Sequence, residues 1–328
     1  MAGRVTRTLV VIGTGSLANA LCDAFACVAT EPVEVLVVGR DQGKAAQLCQ
    51  LVGVRAVLAR SPVVFHDAGY EDLARLLESR RPDGVVVCAS RQSPWEGPSA
   101  WTDLLAREGF GLSLPLHADI AARTGRAIMA ASPETWLVNA CFPDAVNPLL
   151  AAQGIPVICG VGNVATLAAA LQAALGLPDQ SRLRLVAHHL HLHAPDTVAD
   201  EALAWLDGTP IADVTTLLAA QRSVDRAAAN RVTGHTAALL LDTLLTGDEM
   251  DTHVPGPNGL PGGYPVRIHG GKVSLRLPGG LSEAEAVARN EKSATRDGVR
   301  ADSDLDTLLK LRDELRARPS ARRTESHR

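Results

Sequence analysis

The sequence predicts an α/β fold in which a doubly wound parallel sheet, in the N-terminal half, is followed by an α+β domain. In the first half, short apolar β-branched runs alternate with helical periods, which is typical of a parallel sheet covered by helices. In the second half this alternation stops. With 328 residues, 46% of them apolar, the chain can bury two cores. We predict domains at residues 1–142 and 143–317, followed by a disordered tail at 318–328.

The elements of the first half follow from their apolar patterns. Residues 8–12 are the first strand, and Leu17, Leu21 and Phe25 then recur at helical spacing. Residues 33–38 are apolar throughout, as expected of a strand buried on both faces. Further strands are predicted at 85–89 and 135–140. Helices are predicted at 42–50, 71–79, 100–107 and 116–123.

In the second half, residues 156–159 form a short strand and residues 164–175 an alanine-rich helix. Residues 182–193 are predicted to be extended, 211–245 mostly helical, and 264–277 to contain two short strands. A long final helix begins at Ser282, because a serine followed three residues later by Glu285 is a capping box.

Composition excludes several classes of protein. The net charge of -4 gives no basic surface for nucleic acid, and no apolar run is long enough to span a membrane. Six cysteines lack paired spacing, so we interpret them as buried thiols in a reducing compartment. The first apolar run leads into a glycine turn instead of a signal-peptide cleavage site. These features predict a cytoplasmic protein.

A glycine-rich turn joins the first strand to the first helix. Its first glycine suits a tight turn, its second lets the backbone approach a pyrophosphate, and its third position needs only a small residue. The helix N-terminus supplies free amides for the phosphates. The pattern therefore predicts a Rossmann domain that binds a nicotinamide dinucleotide. Its predicted cofactor residues are Gly13, Thr14, Gly15, Ser16, Leu17 and Ala18, joined by Ala89 and Ser90 at a later strand end.

The end of the second strand bears on the choice between NAD and NADP. An acidic residue there would bind the ribose 2′-hydroxyl of NAD, but this strand ends in Gly39 and Arg40. Glycine removes a carboxylate that would repel a 2′-phosphate, and the guanidinium can pair with that phosphate. Asp41 follows and could point at the ribose instead. We predict NADP, with NAD as the alternative.

Four histidines lie close together in the segment 185–196. If the segment is an extended strand, His189, His191 and His193 share one face and His188 takes the other. Three imidazoles on one face could hold zinc. The alternative, which we prefer, is one functional histidine with packed or solvated neighbours and no metal.

Six motifs in order make the chain resemble the lactate/malate dehydrogenase superfamily over nearly its whole length. After the glycine turn come a strand end at Ser90-Arg91, a strand end at 139–143 and a turn at 160–162. A histidine-containing strand ends at His193, and a single C-terminal motif, formed by the segments 263–271 and 281–285, is the sixth. The resemblance implies a Rossmann lobe, an α+β substrate lobe, a small-molecule substrate and assembly as a homodimer or homotetramer.

The resemblance also implies roles for single residues. It makes His193 the acid/base residue, and histidine suits this role because its pKa lies near neutrality. The aspartate that orients the histidine in the family falls on Thr166 here, and the arginine that binds the substrate carboxylate falls on Ala169. The strand-end asparagine falls on Phe142, with Asn139 as a possible substitute.

The loop after the strand predicted at 85–89 departs from the family as well. Where the family's loop carries an arginine, this loop has Arg91 at its root, followed by Trp95 and Trp101. Losing an arginine–carboxylate clamp removes about two charge-assisted bonds, and the tryptophans suggest a larger, less polar substrate. The predicted substrate-binding residues are Arg91, Trp95, Trp101, Asn139 and Thr166.

The sequence thus favours an NADP-dependent reductase that acts on a C=O or C=N group of a bulky metabolite. Two alternatives stay open. One is a 2-oxo acid dehydrogenase whose carboxylate clamp has moved to Arg91 or another arginine. The other is an NADP-binding protein without redox turnover.

Overall fold

A computed structural model describes residues 6–93, 96–300 and 304–320. Its largest element is a six-stranded parallel sheet with the strand order β3-β2-β1-β4-β5-β6. This is the order of a doubly wound dinucleotide-binding sheet, so the predicted fold class is confirmed. The strands are β1 (Arg7–Ile12), β2 (Val33–Gly39), β3 (Val63–Gly69), β4 (Gly84–Val87), β5 (Trp136–Asn139) and β6 (Cys159–Gly160).

Helices connect the strands and cover the sheet on both faces. They are α1 (Ser16–Val28), α2 (Gln42–Ala59), α3 (Leu73–Arg80), α4 (Ala100–Glu108), α5 (Leu114–Ala131) and α6 (Pro143–Ala152). One buried cluster lies on the face that carries Leu9 and Val11, and a second lies on the face that carries Val10 and Ile12. Alternate residues of β1 therefore enter opposite cores, which is why the strand is apolar throughout.

The second half contains two small antiparallel sheets and five helices among the described residues. The strands are β7 (Leu183–Val186), β8 (Leu203–Leu206) and β9 (Thr209–Pro210) in one sheet, and β10 (Met250–Pro255), β11 (Gly263–His269) and β12 (Lys272–Leu275) in the other. The helices are α7 (Asn163–Ala174), α8 (Val214–Arg222), α9 (Arg226–Thr246), α10 (Glu283–Arg296) and α11 (Leu305–Arg316). The antiparallel sheets confirm the α+β character of this half.

The two halves of the chain pack against each other through helices α1 and α9. A Cβ added to Gly234 of α9 would lie 2.5 Å from the backbone of Ala20 in α1, so only glycine permits this close approach. Further along the same pair, Asp242 accepts hydrogen bonds from Thr30. The two helices therefore run side by side in the same direction.

Three expectations need correction. Strand β3 and helix α6 were absent from the predicted elements; β3 is an edge strand with several exposed side chains, so its apolar pattern is weak. The long final helix is two helices, α10 and α11. The first ends at Arg296 because Gly298, with φ +81°, contacts the Glu108 carbonyl closely enough to exclude a Cβ.

The third correction concerns the histidine segment. Strand β7 ends at Val186, the backbone stays extended through His188, and His189–Leu192 is a 3-10 turn. The alternation of faces expected for an extended strand therefore does not apply to the histidines.

The predicted domain limits stay a prediction. None of the helices in the described parts of the chain has the length and apolarity needed to cross a bilayer.

Candidate functional site

A cavity of about 850 Å³ opens at the carboxyl ends of β1, β2, β4 and β5. Residues from both halves of the chain line it. In parallel α/β sheets, ligands bind at this edge, where the strand order reverses. The volume lies in the upper part of the range that is usual for cofactor and ligand sites.

The glycine turn forms one end of the cavity. Gly13 has φ +122°, and a Cβ there would lie 2.9 Å from the Cys88 carbonyl oxygen. A Cβ on Gly15 would meet nothing within 4 Å, so there is room for a ligand to approach the backbone. The Asn19 amide donates to the Thr14 and Gly15 carbonyls at 3.0 and 2.9 Å and holds the turn in shape.

These features fit the pyrophosphate of a dinucleotide. Gly15 caps α1 without a side-chain hydrogen bond, and the first turn of α1 contains no acidic residue. The start of this helix, with its amides and its partial positive charge, therefore suits an anion. Of the predicted cofactor residues, Ala18 does not line the cavity because it is buried inside α1. Those that line it are Gly13, Thr14, Gly15, Ser16, Leu17, Gly39, Arg40, Ala89 and Ser90.

The end of β2 brings Gly39, Arg40 and Asp41 to the cavity. A Cβ on Gly39 would lie 3.0 Å from the Thr14 methyl group and 3.2 Å from the Asp41 carbonyl, so a larger side chain would be crowded. The Asp41 carboxylate accepts from the Lys44 amide at 3.1 Å and caps α2. Arg40 is exposed and forms no ion pair within the described ranges.

His189 lies at the other end of the cavity. Its side chain is 7% exposed, and its Nδ1 lies 2.8 Å from Oδ2 of Asp297. Asp297 follows directly after α10. Its carboxylate accepts a hydrogen bond from Nδ1–H, which leaves Nε2 as the nitrogen that can exchange a proton with a ligand. Among the described residues, Nε2 has no hydrogen-bond partner.

The other three histidines do not line the cavity. His188 Nδ1 accepts from the Leu190 amide, and His191 Nδ1 accepts from the His188 amide. Burial lowers the pKa of both imidazoles, that of His188 to about 3, as suits neutral acceptors. His193, the predicted acid/base residue, is exposed at the end of the turn. In the described parts of the chain, no three His, Cys, Asp or Glu side chains are grouped to hold a metal.

Asp144 forms a hydrogen bond that holds the backbone of His189 in place. Its Oδ1 accepts from the His189 amide at 3.0 Å, and the side chain is completely buried in the first turn of α6. Burial raises the pKa of this carboxyl group to about 6, against the attraction of the nearby His189. The Asp144 carboxyl group therefore disfavours the folded state when it is ionised.

Asp144→Asn is expected to stabilise the fold above pH 6. The folded pKa exceeds the ordinary value of 3.8, so the wild-type protein loses stability as the pH rises from about 4 to 6. The loss amounts to about 3 kcal/mol at 1.36 kcal/mol per pH unit. Asparagine keeps an acceptor for the His189 amide and does not ionise. Urea unfolding of both proteins from pH 4 to 8 should show a gap that widens up to pH 6; a constant gap would contradict the assignment.

Aromatic side chains surround the His189 ring. Phe110 stacks on it with centroids 4.8 Å apart, and Phe142 meets it edge-on at 5.1 Å. His117 packs against Phe110, and burial lowers its pKa to about 3, so it is a neutral ring. This end of the cavity is therefore largely apolar and favours a substrate with an apolar body.

The residues predicted to bind substrate are placed differently from expectation. Arg91 lines the cavity but forms an ion pair with Asp119 at 2.5 Å. Trp101 is fully buried between Leu116 and Leu308, and its Nε1 donates to Gln92. It is part of the core because α11 covers it. Trp95 lies outside the described residues.

Asn139 and Thr166 are also buried and make structural hydrogen bonds. Asn139 bonds to Asn147 at 3.0 Å and to the Cys141 backbone. Thr166 bonds to the Thr233 hydroxyl at 2.8 Å. Neither of them lines the cavity.

The structure brings three residues to this end of the cavity that the sequence analysis did not predict as site residues. They are His189, Asp297 and Arg226. Two signals were available. The apolar run of β7 ends at Val186, so a turn could begin directly before His189. Asp297-Gly298 marks a helix end within a polar stretch. No sequence signal distinguishes Arg226 from the other arginines.

At the level of sequence, the chain matches no family model and no curated protein. Its structure is similar to a minor L-lactate dehydrogenase from Enterococcus mundtii, with 16% identity, a TM-score of 0.60 and coverage of 95% of this chain and 99% of that one. It is also similar to the malate dehydrogenase of Picrophilus torridus, with 15% identity, a TM-score of 0.59 and the same coverage.

A third similar structure is the malate dehydrogenase of Archaeoglobus fulgidus in complex with NADH, with 15% identity and a TM-score of 0.58. The match covers 89% of this chain and 98% of that one. The chain therefore has the fold of the lactate and malate dehydrogenases, as the resemblance in its motifs predicted.

Proposed function

We propose that the protein is a nicotinamide-dependent oxidoreductase that reduces a C=O or C=N group. The observation that carries the proposal is that one cavity is lined both by the glycine turn and by His189, whose Nδ1 contacts Asp297. A nicotinamide dinucleotide, when bound, supplies the hydride. The protein supplies the binding surface, the orientation of the substrate and the proton.

His189 provides that proton in place of the predicted His193. Its Nδ1 faces the Asp297 carboxylate at 2.8 Å, so the ring is held in one orientation. Nε2 then donates to the oxygen or nitrogen of the substrate group. Phe110 and Phe142 fix the ring from two sides.

The test is cofactor binding followed by turnover. Purified protein is titrated with NADPH and with NADH, and a panel of ketones, 2-oxo acids and imines is then added while the cofactor fluorescence is followed. The proposal expects binding of at least one dinucleotide and its oxidation by some members of the panel. Binding without any oxidation would favour the alternative of a cofactor-binding protein, and failure to bind either dinucleotide would refute both.

We further propose that NADP is preferred over NAD. Gly39 leaves no carboxylate at the strand end, and Asp41 both caps α2 and lies 3.8 Å from the Lys44 ammonium. Arg40 lines the same part of the cavity and forms no ion pair within the described ranges, so its guanidinium suits the extra phosphate of NADP.

Arg40→Ala is expected to weaken NADPH binding about tenfold and to leave NADH binding nearly unchanged. The expected loss is that of one charge-assisted contact, reduced by solvent because Arg40 is exposed. Fluorescence titration at fixed ionic strength measures both affinities. Arg75→Ala, on the outer surface of α3, is the matched control. Equal losses for NADPH and NADH would contradict the role given to Arg40.

A 2-oxo acid dehydrogenase with a relocated clamp is the second candidate. Arg91 is a poor clamp, since Asp119 already pairs with it, but Arg226 lines the same cavity and forms no ion pair with any of the described residues. The homodimer or homotetramer and the cytoplasmic location stay predictions. The exposed apolar side chains of α2, among them Leu51, Val57 and Leu58, support self-association.

A further inference from the structure

His117 is a polar side chain in the apolar part of the cavity. It lies in the first turn of α5, is only 4% exposed, and contributes to the cavity lining. Its Nε2 is buried and has no hydrogen-bond partner among the described residues. Leaving a buried polar atom unpaired costs free energy, so most such atoms in folded proteins have a partner. An unpaired nitrogen at a ligand cavity therefore indicates a partner that the ligand supplies.

The neighbours of His117 connect it to the reacting end of the cavity. Its ring centroid lies 5.0 Å from that of Phe110 and 5.9 Å from that of Phe142. The same two rings flank His189 at 4.8 and 5.1 Å. Both imidazoles therefore lie against one aromatic wall. A substrate whose reacting group lies at His189 would extend along this wall to His117.

The charge state of His117 limits what it can bind. Burial, together with the nearby His189, lowers its pKa to about 3, so the ring is uncharged at neutral pH. A neutral imidazole has one N–H donor and one acceptor nitrogen. It offers no counterion to a carboxylate or a phosphate, but it can pair with a neutral polar group. A hydroxyl group suits either nitrogen, because it both donates and accepts.

Either ring nitrogen of His117 can be presented to a ligand. The second side-chain torsion of histidine is roughly two-fold. Half a turn about it exchanges each nitrogen with a ring carbon, while the ring keeps its place against Phe110 and Phe142. A ligand can therefore form the hydrogen bond without a movement of α5.

We propose that His117 is a specificity-determining residue that hydrogen-bonds a hydroxyl group of the substrate. The substrate is a neutral carbonyl or imine compound whose apolar body packs against Phe110 and Phe142 and carries that hydroxyl. This rests on the proposed oxidoreductase function and narrows it to hydroxylated apolar substrates. It differs from the 2-oxo acid dehydrogenase, because no charged group is needed at this wall.

Equilibrium binding tests the proposal without requiring turnover. The probes are 4-phenylbutan-2-one and its three isomers with one hydroxyl group on the ring. Each is titrated by calorimetry into protein saturated with NADP⁺, or with NAD⁺ should it bind more tightly, because the oxidised cofactor has no hydride to transfer. The titrations are repeated without a dinucleotide.

Three variants accompany the wild-type protein. His117→Leu is apolar and of similar volume, and His117→Gln keeps a neutral donor and acceptor. His235→Leu is the matched control, since His235 is an exposed histidine of α9 outside the cavity lining.

At least one hydroxylated isomer is expected to bind the wild-type protein about fivefold or more tightly than the parent ketone, as for one hydrogen bond to an otherwise unpaired group. His117→Leu should abolish this preference, His117→Gln should restore part of it, and His235→Leu should keep it. A parent ketone that binds as tightly as every isomer would overturn the proposal. So would a preference that survives in His117→Leu, or the absence of binding by all four compounds.

Urea unfolding separates this role from a purely structural one. Leucine removes the unpaired nitrogen, so His117→Leu without ligand is expected to unfold at the same urea concentration as the wild-type protein or at a higher one. A clearly lower unfolding midpoint in both His117→Leu and His117→Gln would mean that the imidazole serves the packing of α5, and would contradict the proposal.

The outcome is distinguishable from failure of the proposed function. If the protein never oxidises a cofactor but prefers a hydroxylated ketone through His117, the hydroxyl site stands and the redox activity falls. If the protein oxidises NADPH with ketones and shows no preference for a hydroxyl group, the activity stands and the hydroxyl site falls.

Discussion

His189→Asn is expected to lower turnover about 10²–10⁴-fold and to leave dinucleotide affinity within a factor of two, on the order of the loss when a general acid is removed. Asparagine keeps a side-chain group beside Asp297 but cannot carry the proton. His189 lies at the opposite end of the cavity from the glycine turn, so the phosphate contacts should be unaffected. Steady-state kinetics with the best substrate of the panel, together with dinucleotide titration, separate the two effects.

His193→Asn is the matched control for this experiment. His193 is exposed and outside the cavity lining, so its variant should retain near wild-type turnover. The reverse result, with activity lost in the His193 variant and kept in the His189 variant, would restore the residue predicted from the sequence. It would also show that the 3-10 turn rearranges when ligands bind.

Gly13→Ala and Gly15→Ala are expected to fail in different ways. At Gly13, φ is +122° and a new Cβ would lie 2.9 Å from the Cys88 carbonyl, so we expect a loss of roughly 2–5 kcal/mol in the free energy of unfolding. At Gly15, φ is -79° and the space is open. The fold should be nearly unchanged there, but the methyl group would occupy space that the pyrophosphate needs.

Two measurements separate these outcomes. Urea unfolding without ligand should show the loss for Gly13→Ala alone, and dinucleotide titration should show weakened binding for Gly15→Ala even though it is folded. If Gly15→Ala bound NADPH as tightly as the wild-type protein, the phosphates could not rest against the start of α1. The cofactor site would then have to be placed elsewhere.

Features set by residues that lie close together in the sequence were predictable from it. The glycine turn could be placed because it needs particular residues at fixed spacing between a strand and a helix. The capping box at Ser282 and Glu285 was visible for the same reason. Strand β3 was missed because an edge strand buries fewer side chains, so its pattern departs from that of the central strands.

The histidine assignment depended on where a strand ends, which the sequence leaves open. An extended segment and a 3-10 turn are both compatible with four histidines in six positions. The structure adds a tertiary reason for the turn, because the His189 amide needs Asp144 and the imidazole needs Asp297. The burial of Trp101 and of Asn139 was not predictable either, because it depends on tertiary packing that the sequence pattern does not show.

The His189–Asp297 pair joins residues 108 positions apart, and its carboxylate lies near the carboxyl end of the chain. During synthesis the dinucleotide-binding sheet and His189 emerge well before Asp297. A polypeptide shortened before Asp297 would keep His189 and lose the carboxylate that contacts its Nδ1.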